Sequence, residues 1–355
     1  MAILNNVYYV IALKANDLLV WDIKGESRDN GVPVLLYQSR QSDNQLFLFF
    51  ELDNGKYAIV NYNSGKCIYF DYRIYSPGLG AGQTKWTGAD SQQWYLRSVD
   101  PSHNQYEIVN QGFGTVASYA GDGSVKYVDS DDANPSDPDR VFGINPTTRY
   151  PITLPTLPAI GTRPAVPDYF SSPYDTMPAT SASQIVGASL IPCIMVNDGQ
   201  QADYTKIQNS PYYKLIKEEY WEQTYSLVLA PNQKRGYSYT TGTSSVDQTR
   251  MTNTLNMEIG ADFGLKFNDV TAKISGKISR TIQTEVSTTN QQSVSETKSD
   301  EINNGTSNYT IGYTQYQLVT KYTLYRMDGT AVSNPFISKN DKIAVTRSRS
   351  QLATG

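Results

Sequence analysis

A threefold repeat in the first 145 residues is the strongest constraint on this chain. One marker is Gln-x-aromatic, at Gln45-Leu46-Phe47, then Gln92-Gln93-Trp94, with Arg140-Val141-Phe142 as the third copy, in steps of 47 and 48 residues. A second marker is Tyr-x-Ile, at Tyr9, Tyr57 and Tyr106, in steps of 48 and 49 residues. Two markers sharing a period of roughly 20–50 residues define a repeated supersecondary unit. Each unit reads as short strands separated by turns such as Asn63-Ser64-Gly65 and Gly121-Asp122-Gly123.

Three all-β units closing on one another resemble the ricin-B-type β-trefoil. In that arrangement the marker aromatic packs a shared core, and the Gln amide braces backbone groups or orients a binding residue. The trefoil is expected over 1–145. Residues 146–178 carry eight of the 17 prolines, so 146–184 reads as a linker, either strapped across a surface or extended as a spacer. From 185 to 355 Ser, Thr, Gln and Asn dominate and period-2 alternation predicts strands, including Tyr225–Leu229, Leu255–Phe267, Val270–Val286 and Tyr309–Tyr325. The last precedes an Asp328-Gly329 turn. Tyr212 to Tyr220 is expected as a short helix.

The clearest alternation lies at 255–282. Leu255, Met257, Ile259, Ala261, Phe263, Leu265 and Phe267 hold odd positions; Val270, Ala272, Ile274, Gly276 and Ile278 hold even ones. A turn at Asn268-Asp269 would pair Phe267 with Val270 and gather these side chains on one face, interrupted by Arg280. Arms of 13 residues span roughly 43 Å, enough to cross a hydrocarbon core of roughly 30 Å at a tilt near 45°. The segment is therefore the expected membrane-inserting hairpin, with Thr281–Asn308 as a second candidate. A half-buried hairpin of a soluble protein alternates in the same way.

Charge and rare residues narrow the function classes. A net charge of −4 argues against a nucleic-acid partner. The single histidine, His103, leaves no His-rich metal site, and no cofactor or metal is expected. Cys67 and Cys193 read as buried free thiols. The first residues lack the basic and apolar stretches of a signal peptide, and no window reads as a transmembrane helix. A glycosidase reading meets an obstacle at Glu218-Glu219: adjacent carboxylates cannot flank one bond. A lectin with a β-stalk and no pore is a third reading.

Leu190-Ile191-Pro192-Cys193-Ile194-Met195-Val196-Asn197-Asp198, with Pro211-Tyr212-Tyr213, Tyr220-Trp221 and Asn253-Thr254-Leu255, resembles the binary-toxin (Bin/Tpp) insecticidal proteins of spore-forming bacilli. The resemblance implies an all-β chain: a trefoil followed by an elongated, aerolysin-like pore-forming domain over 185–355. It implies an intracellular crystal store, possible pairing there as homodimers, and a glycan or receptor on insect midgut cells. It also implies proteolytic trimming, a homo-oligomeric pore in the target membrane, and in some members a second toxin component. Lys339, Lys342, Arg347 and Arg349 offer trypsin-type sites, or a basic frayed tail. Carrying the ricin-B pattern across unit by unit places Asp22, Tyr37, Asn44 and Gln45 in a first sugar site. Asp71, Trp86 and Gln92 fall in a second, where Ser91 replaces Asn. The third unit departs from the pattern at Tyr119 and Arg140.

Overall fold

The computed structural model describes residues 3–75, 78–121, 125–305 and 308–352. Asp122 and Gly123 of the expected turn lie outside them. Twelve strands form the first half: β1 (Tyr8–Leu13), β2 (Asn16–Ile23), β3 (Val32–Gln38), β4 (Phe47–Glu51), β5 (Tyr57–Asn61), β6 (Cys67–Asp71), β7 (Gly80–Thr84), β8 (Trp94–Asp100), β9 (Gln105–Asn110), β10 (Val116–Ala120), β11 (Lys126–Asp131) and β12 (Phe142–Thr147). Each repeat supplies four strands. Units join where β4 pairs with β5, β8 with β9 and β12 with β1. The hairpins β2–β3, β6–β7 and β10–β11 meet as a triangle through β3–β7, β7–β11 and β11–β3 pairings. This is a β-trefoil. The marker aromatics Phe47, Trp94 and Phe142 are fully buried, and all three rings meet Trp21 edge-on at 6.0, 6.3 and 5.7 Å.

Residues 148–183 form a strap with no named strand of its own, which leaves the trefoil at Tyr150 and is tied to the second half by side chains and by backbone bonds at Gly161, Ala179 and Ser181. Trp221 Nε1 donates to the Pro164 carbonyl at 2.8 Å, Tyr169 Oη meets Thr314 Oγ1 at 2.8 Å, and Arg163 pairs with Glu219 at 2.7 Å. The prolines remove backbone donors that such a path could not satisfy.

The second half contains β13 (Gln184–Pro192), α1 (Asp203–Asn209), β14 (Tyr212–Leu229), β15 (Lys234–Thr243), α2 (Ser245–Leu255), β16 (Met257–Ile259), β17 (Leu265–Phe267), α3 (Ser275–Ile282), β18 (Glu296–Asn303), β19 (Tyr309–Tyr325) and β20 (Phe336–Leu352). Six strands form one antiparallel sheet in the order β13-β14-β19-β20-β15-β18. Its long strands, of 18, 17 and 17 residues, extend for roughly 55–60 Å at about 3.3 Å per residue. β19 covers the run expected at Tyr309–Tyr325.

Two expectations fail here. Tyr212–Tyr220 opens β14 instead of forming a helix. Tyr213, Leu215, Lys217, Glu219 and Trp221 are all buried on alternate positions; the Lys217–Glu219 pair, 3.1 Å apart, disguises the alternation as polarity. The long 255–282 hairpin is not formed. Its strands shrink to β16 and β17, which pair Met257 with Phe267 and Ile259 with Leu265. The turn falls at Gly260–Gly264, where Phe263 takes a positive φ of 63° and Asp262 Oδ1 accepts from Gly264 N. Asn268 does not turn a hairpin. Its carbonyl accepts from Ala272 N at 2.8 Å and its side chain from Val270 N at 3.1 Å, opening a helical run that ends in α3. Ile274, Ile278 and Ile282 are buried there and Arg280 is exposed. A spacing of four satisfies both a strand face and a helix face.

The two halves share one apolar seam. In β4, Phe47 and Phe49 face the trefoil core, while Leu48 and Phe50 join a cluster with Met195, Tyr212, Ile274 and Ile278. The unbroken apolar run Leu46–Phe50 reflects burial on both faces. Cys67 and Cys193 are buried and unbonded within this seam.

Candidate functional site

The marker glutamines do the same structural work in two units. Gln45 accepts from Arg40 N at 2.8 Å and donates to the Gln38 carbonyl at 3.0 Å. Gln92 accepts from Thr87 N at 2.8 Å and donates to the Lys85 carbonyl at 2.6 Å. Each amide braces the loop before it. Only Gln45 also donates to a carboxylate, Asp22 Oδ2, at 2.9 Å. Burial raises the Asp22 carboxyl above its ordinary value, opposed by the bonds from Gln45 and Asn44. Asn44 is fixed by donating to the Ile23 carbonyl and accepting from Ser42 Oγ.

Tyr37 is 41% exposed, the state a stacking platform requires. The structure adds Arg40, which the family pattern did not supply. Its guanidinium lies 4.8 Å from the Tyr37 ring centroid and donates to Tyr37 Oη at 2.9 Å. The first unit thus gathers a fixed carboxylate, a half-exposed ring and a cation resting on that ring.

The second unit is assembled differently. Asp71 pairs with Gly80 as Asp22 pairs with Leu35, so the counterpart of Tyr37 is Gly82, which has no ring. Asp71 is held by Arg73 at 2.9 and 2.6 Å rather than by Gln92. Trp86 is buried in the seam, and its Nε1 donates to the Val270 carbonyl at 2.7 Å. The expected second platform is an internal tie.

In the third unit Asp129 sits opposite Ser118. Burial and then Asp131 push its carboxyl up to about 7, with Arg140 opposing, and Oδ1 is buried without a partner among the described residues. A carboxyl raised above its unfolded value of 3.8 contributes stability that is complete below that pH and lost as pH rises toward 7. Asp129→Asn is expected to gain thermal stability relative to wild type between pH 4 and 8. A difference in Tm that does not change with pH would contradict this.

The trefoil also clamps the second half. Asp53 Oδ2 accepts from Gly276 N at 3.1 Å, Glu51 pairs with Lys277 at 3.3 Å, and Asp90 pairs with Lys273 at 3.6 Å. Gly88, with φ +81°, lies so close that a Cβ would meet the Asp269 carbonyl at 2.0 Å. On the opposite side Lys217 donates to the Gln283 carbonyl at 2.9 Å, and Lys342 to the Ala261 carbonyl at 2.8 Å. Sequence alone pairs none of these, since up to 226 residues separate the partners.

The basic residues near the end of the chain lie within β20, paired along its length with β19. Lys339 reaches Glu222 at 2.9 Å, and Arg347 reaches Asp168 at 3.6 Å. Lys342 and Arg349 are exposed. The frayed-tail reading is therefore wrong, and cleavage at any of the four requires the strand to open. Glu218 and Glu219 point to opposite sides: Glu219 meets Arg163 and Lys217, whereas Glu218 meets Lys321 at 2.7 Å.

The Leu190–Asp198 motif closes the seam end of the sheet. β13 ends at Pro192, the chain turns through Cys193–Met195, and the Asp198 carboxylate accepts from Tyr213 Oη at 2.9 Å and from Arg326 at 2.7 and 2.9 Å.

These features define a class: a lectin-type trefoil fused to a long-stranded β body, with an amphipathic segment of that body packed against the trefoil. Residues 184–340 match the family described as insecticidal crystal toxin, P42, and residues 43–127 match the ricin-type β-trefoil lectin domain-like family. The chain is 29% identical to binary larvicide subunit BinA of Lysinibacillus sphaericus over 90% of its length and 84% of that protein. It is 26% identical to insecticidal crystal protein Cry35Ab1 of Bacillus thuringiensis over 90% of its length and 83% of that protein. The crystal structure of Cry35Ab1 superposes with a TM-score of 0.84 at 23% identity, covering 98% of this chain and 90% of that one. The chain is thus similar over most of its length to the binary-toxin-like insecticidal proteins, and its second half matches their family.

Proposed function

We propose that this protein is an insecticidal toxin that binds glycans on insect midgut cells through its trefoil and then forms an oligomeric β-barrel pore. The observation that carries the reading is the stowed segment 256–282. Its apolar side chains fit a helix face against the seam and equally a strand face against lipid, and polar ties from Trp86 and Asp53 join that apolar packing in holding it to the trefoil. A closed barrel satisfies every strand edge in the membrane, so release must be followed by assembly of several copies. The activity needs no catalytic step. Storage as an intracellular crystal, proteolytic trimming and pairing with a second component fit the same reading. In support of the last, the chain is 30% identical over 52% of its length to binary larvicide subunit BinB, covering 41% of that protein.

Docking rests on the first trefoil unit, where Asp22 and Asn44 would bond adjacent hydroxyls while Tyr37 stacks on the sugar. Asp22→Ala is expected to abolish binding on a glycan array and on midgut brush-border vesicles, whereas Asp71→Ala leaves it within a factor of two. Equal loss in both variants would contradict the assignment. Vesicles bearing midgut glycolipids should release entrapped dye with wild type after trypsin. Binding without leakage would instead favour a lectin lacking a pore.

A further inference from the structure

A cavity of about 240 Å³ opens at the seam, where the trefoil turn at Gly65 meets the start of α1. Gly65 is at φ +68°, and a Cβ there would meet the Asp203 carbonyl at 2.2 Å, so the two halves touch at this rim. Lys85 and Lys206 line the cavity with Asp203, and Lys66 joins them through that carboxylate. Three ammonium groups face one carboxylate.

The cations are not equivalent. Lys206 is saturated: its Nζ meets Asp203 at 3.0 Å and donates to the Val196 and Cys193 carbonyls at 2.7 and 3.2 Å. Lys66 and Lys85 each stand 3.9 Å from Asp203 Oδ2, beyond hydrogen-bond length, and Asp203 is the only polar partner of either ammonium among the described residues. The Lys66 side chain is only 10% exposed, so its ammonium is held at the junction with little freedom to turn away. Lys85, 69% exposed, keeps the site open to solvent. The two ammonium groups share one reference oxygen and so stand at most twice 3.9 Å apart. A tetrahedral oxyanion bonded at both ends by charge-assisted hydrogen bonds bridges roughly 8 Å.

We infer that Lys66 and Lys85 form a binding site for a phosphate or sulfate group at the junction of the trefoil and the toxin body. The site is separate from the Asp22–Tyr37 sugar site and independent of the pore reading. The anion would bond Lys66 and Lys85 in place of water and balance the excess positive charge of three lysines around Asp203.

Calorimetric titration of the full chain with inorganic phosphate at low chloride tests this. One phosphate per chain is expected. Lys85→Met should weaken binding at least tenfold, and Lys66→Met should remove it, with the far-ultraviolet spectrum unchanged. Lys14→Met, elsewhere on the trefoil, should bind as wild type does. A second readout guards against a merely structural role: phosphate should raise the Tm of wild type and leave that of Lys66→Met unmoved. A sulfated monosaccharide and vesicles containing phosphatidic acid identify the source of the group, and binding of either must also be lost in the Lys66→Met/Lys85→Met protein. No phosphate binding by wild type, or binding that survives the double substitution, would overturn the inference.

Discussion

Oxidised Asp53→Cys/Gly276→Cys protein is expected to dock on receptor-bearing vesicles and release no dye, and a reductant should restore leakage to the wild-type rate. A Cβ at Gly276 would lie 3.7 Å from Asp53 Cγ, the position that the sulfur of a cysteine at 53 would take, so a small shift of the turn brings the two sulfurs within bonding reach. Cys67 and Cys193 are buried, and burial pushes the Cys193 thiol up to about 12, so neither competes for oxidation. The bond would hold α3 against the turn at residues 53–55 of the trefoil while leaving the Asp22 site untouched. Unimpaired leakage by the oxidised protein would show that the segment need not leave the trefoil. Absence of leakage from wild type, oxidised and reduced proteins alike would instead remove the pore itself.

The second large effect is expected at Arg326. Its side chain is 6% exposed and its partner Asp198 fully buried, joined by two short bonds. Arg326→Met leaves Asp198 buried with only Tyr213 and Gln200 N as donors, which costs about 3–5 kcal/mol. The sign with pH follows from the carboxyl. Burial alone would raise it, but Arg326, Gln200 N and Tyr213 hold it below the ordinary carboxylate value. That contribution is present above the unfolded value and lost as pH falls through the folded one. Urea melts should therefore show a deficit in the variant that is full at pH 7 and shrinks below about pH 4. A deficit under 1 kcal/mol at pH 7 would contradict the role assigned to the pair.

The trefoil was legible because its threefold markers are core residues. Phe47, Trp94 and Phe142 must all meet Trp21, so their spacing survives in the sequence. β19 was legible because its interior has no compensating ion pair to blur the alternation over most of its length. β14 was not, since Lys217 and Glu219 neutralise each other inside the sheet. The 270–282 segment misled for a different reason: even spacing at Ile274, Ile278 and Ile282 is common to strand and helix, and tertiary contacts with the trefoil choose between them. Trp86 illustrates the limit for binding residues. Its place in the chain suits a platform, and only the fold reveals Val270 beneath it.

The central claim is that one segment adopts two periodicities, helical when stowed and extended in the membrane. The direct measurement is a scan of single cysteines from Val270 to Ile282, each carrying an environment-sensitive fluorophore, in Cys67→Ser/Cys193→Ala protein assembled on vesicles. Strict alternation is predicted, with even positions from 270 to 278 in lipid and odd positions in water. A period near 3.6, or uniform exposure to water while the vesicles leak, would contradict it.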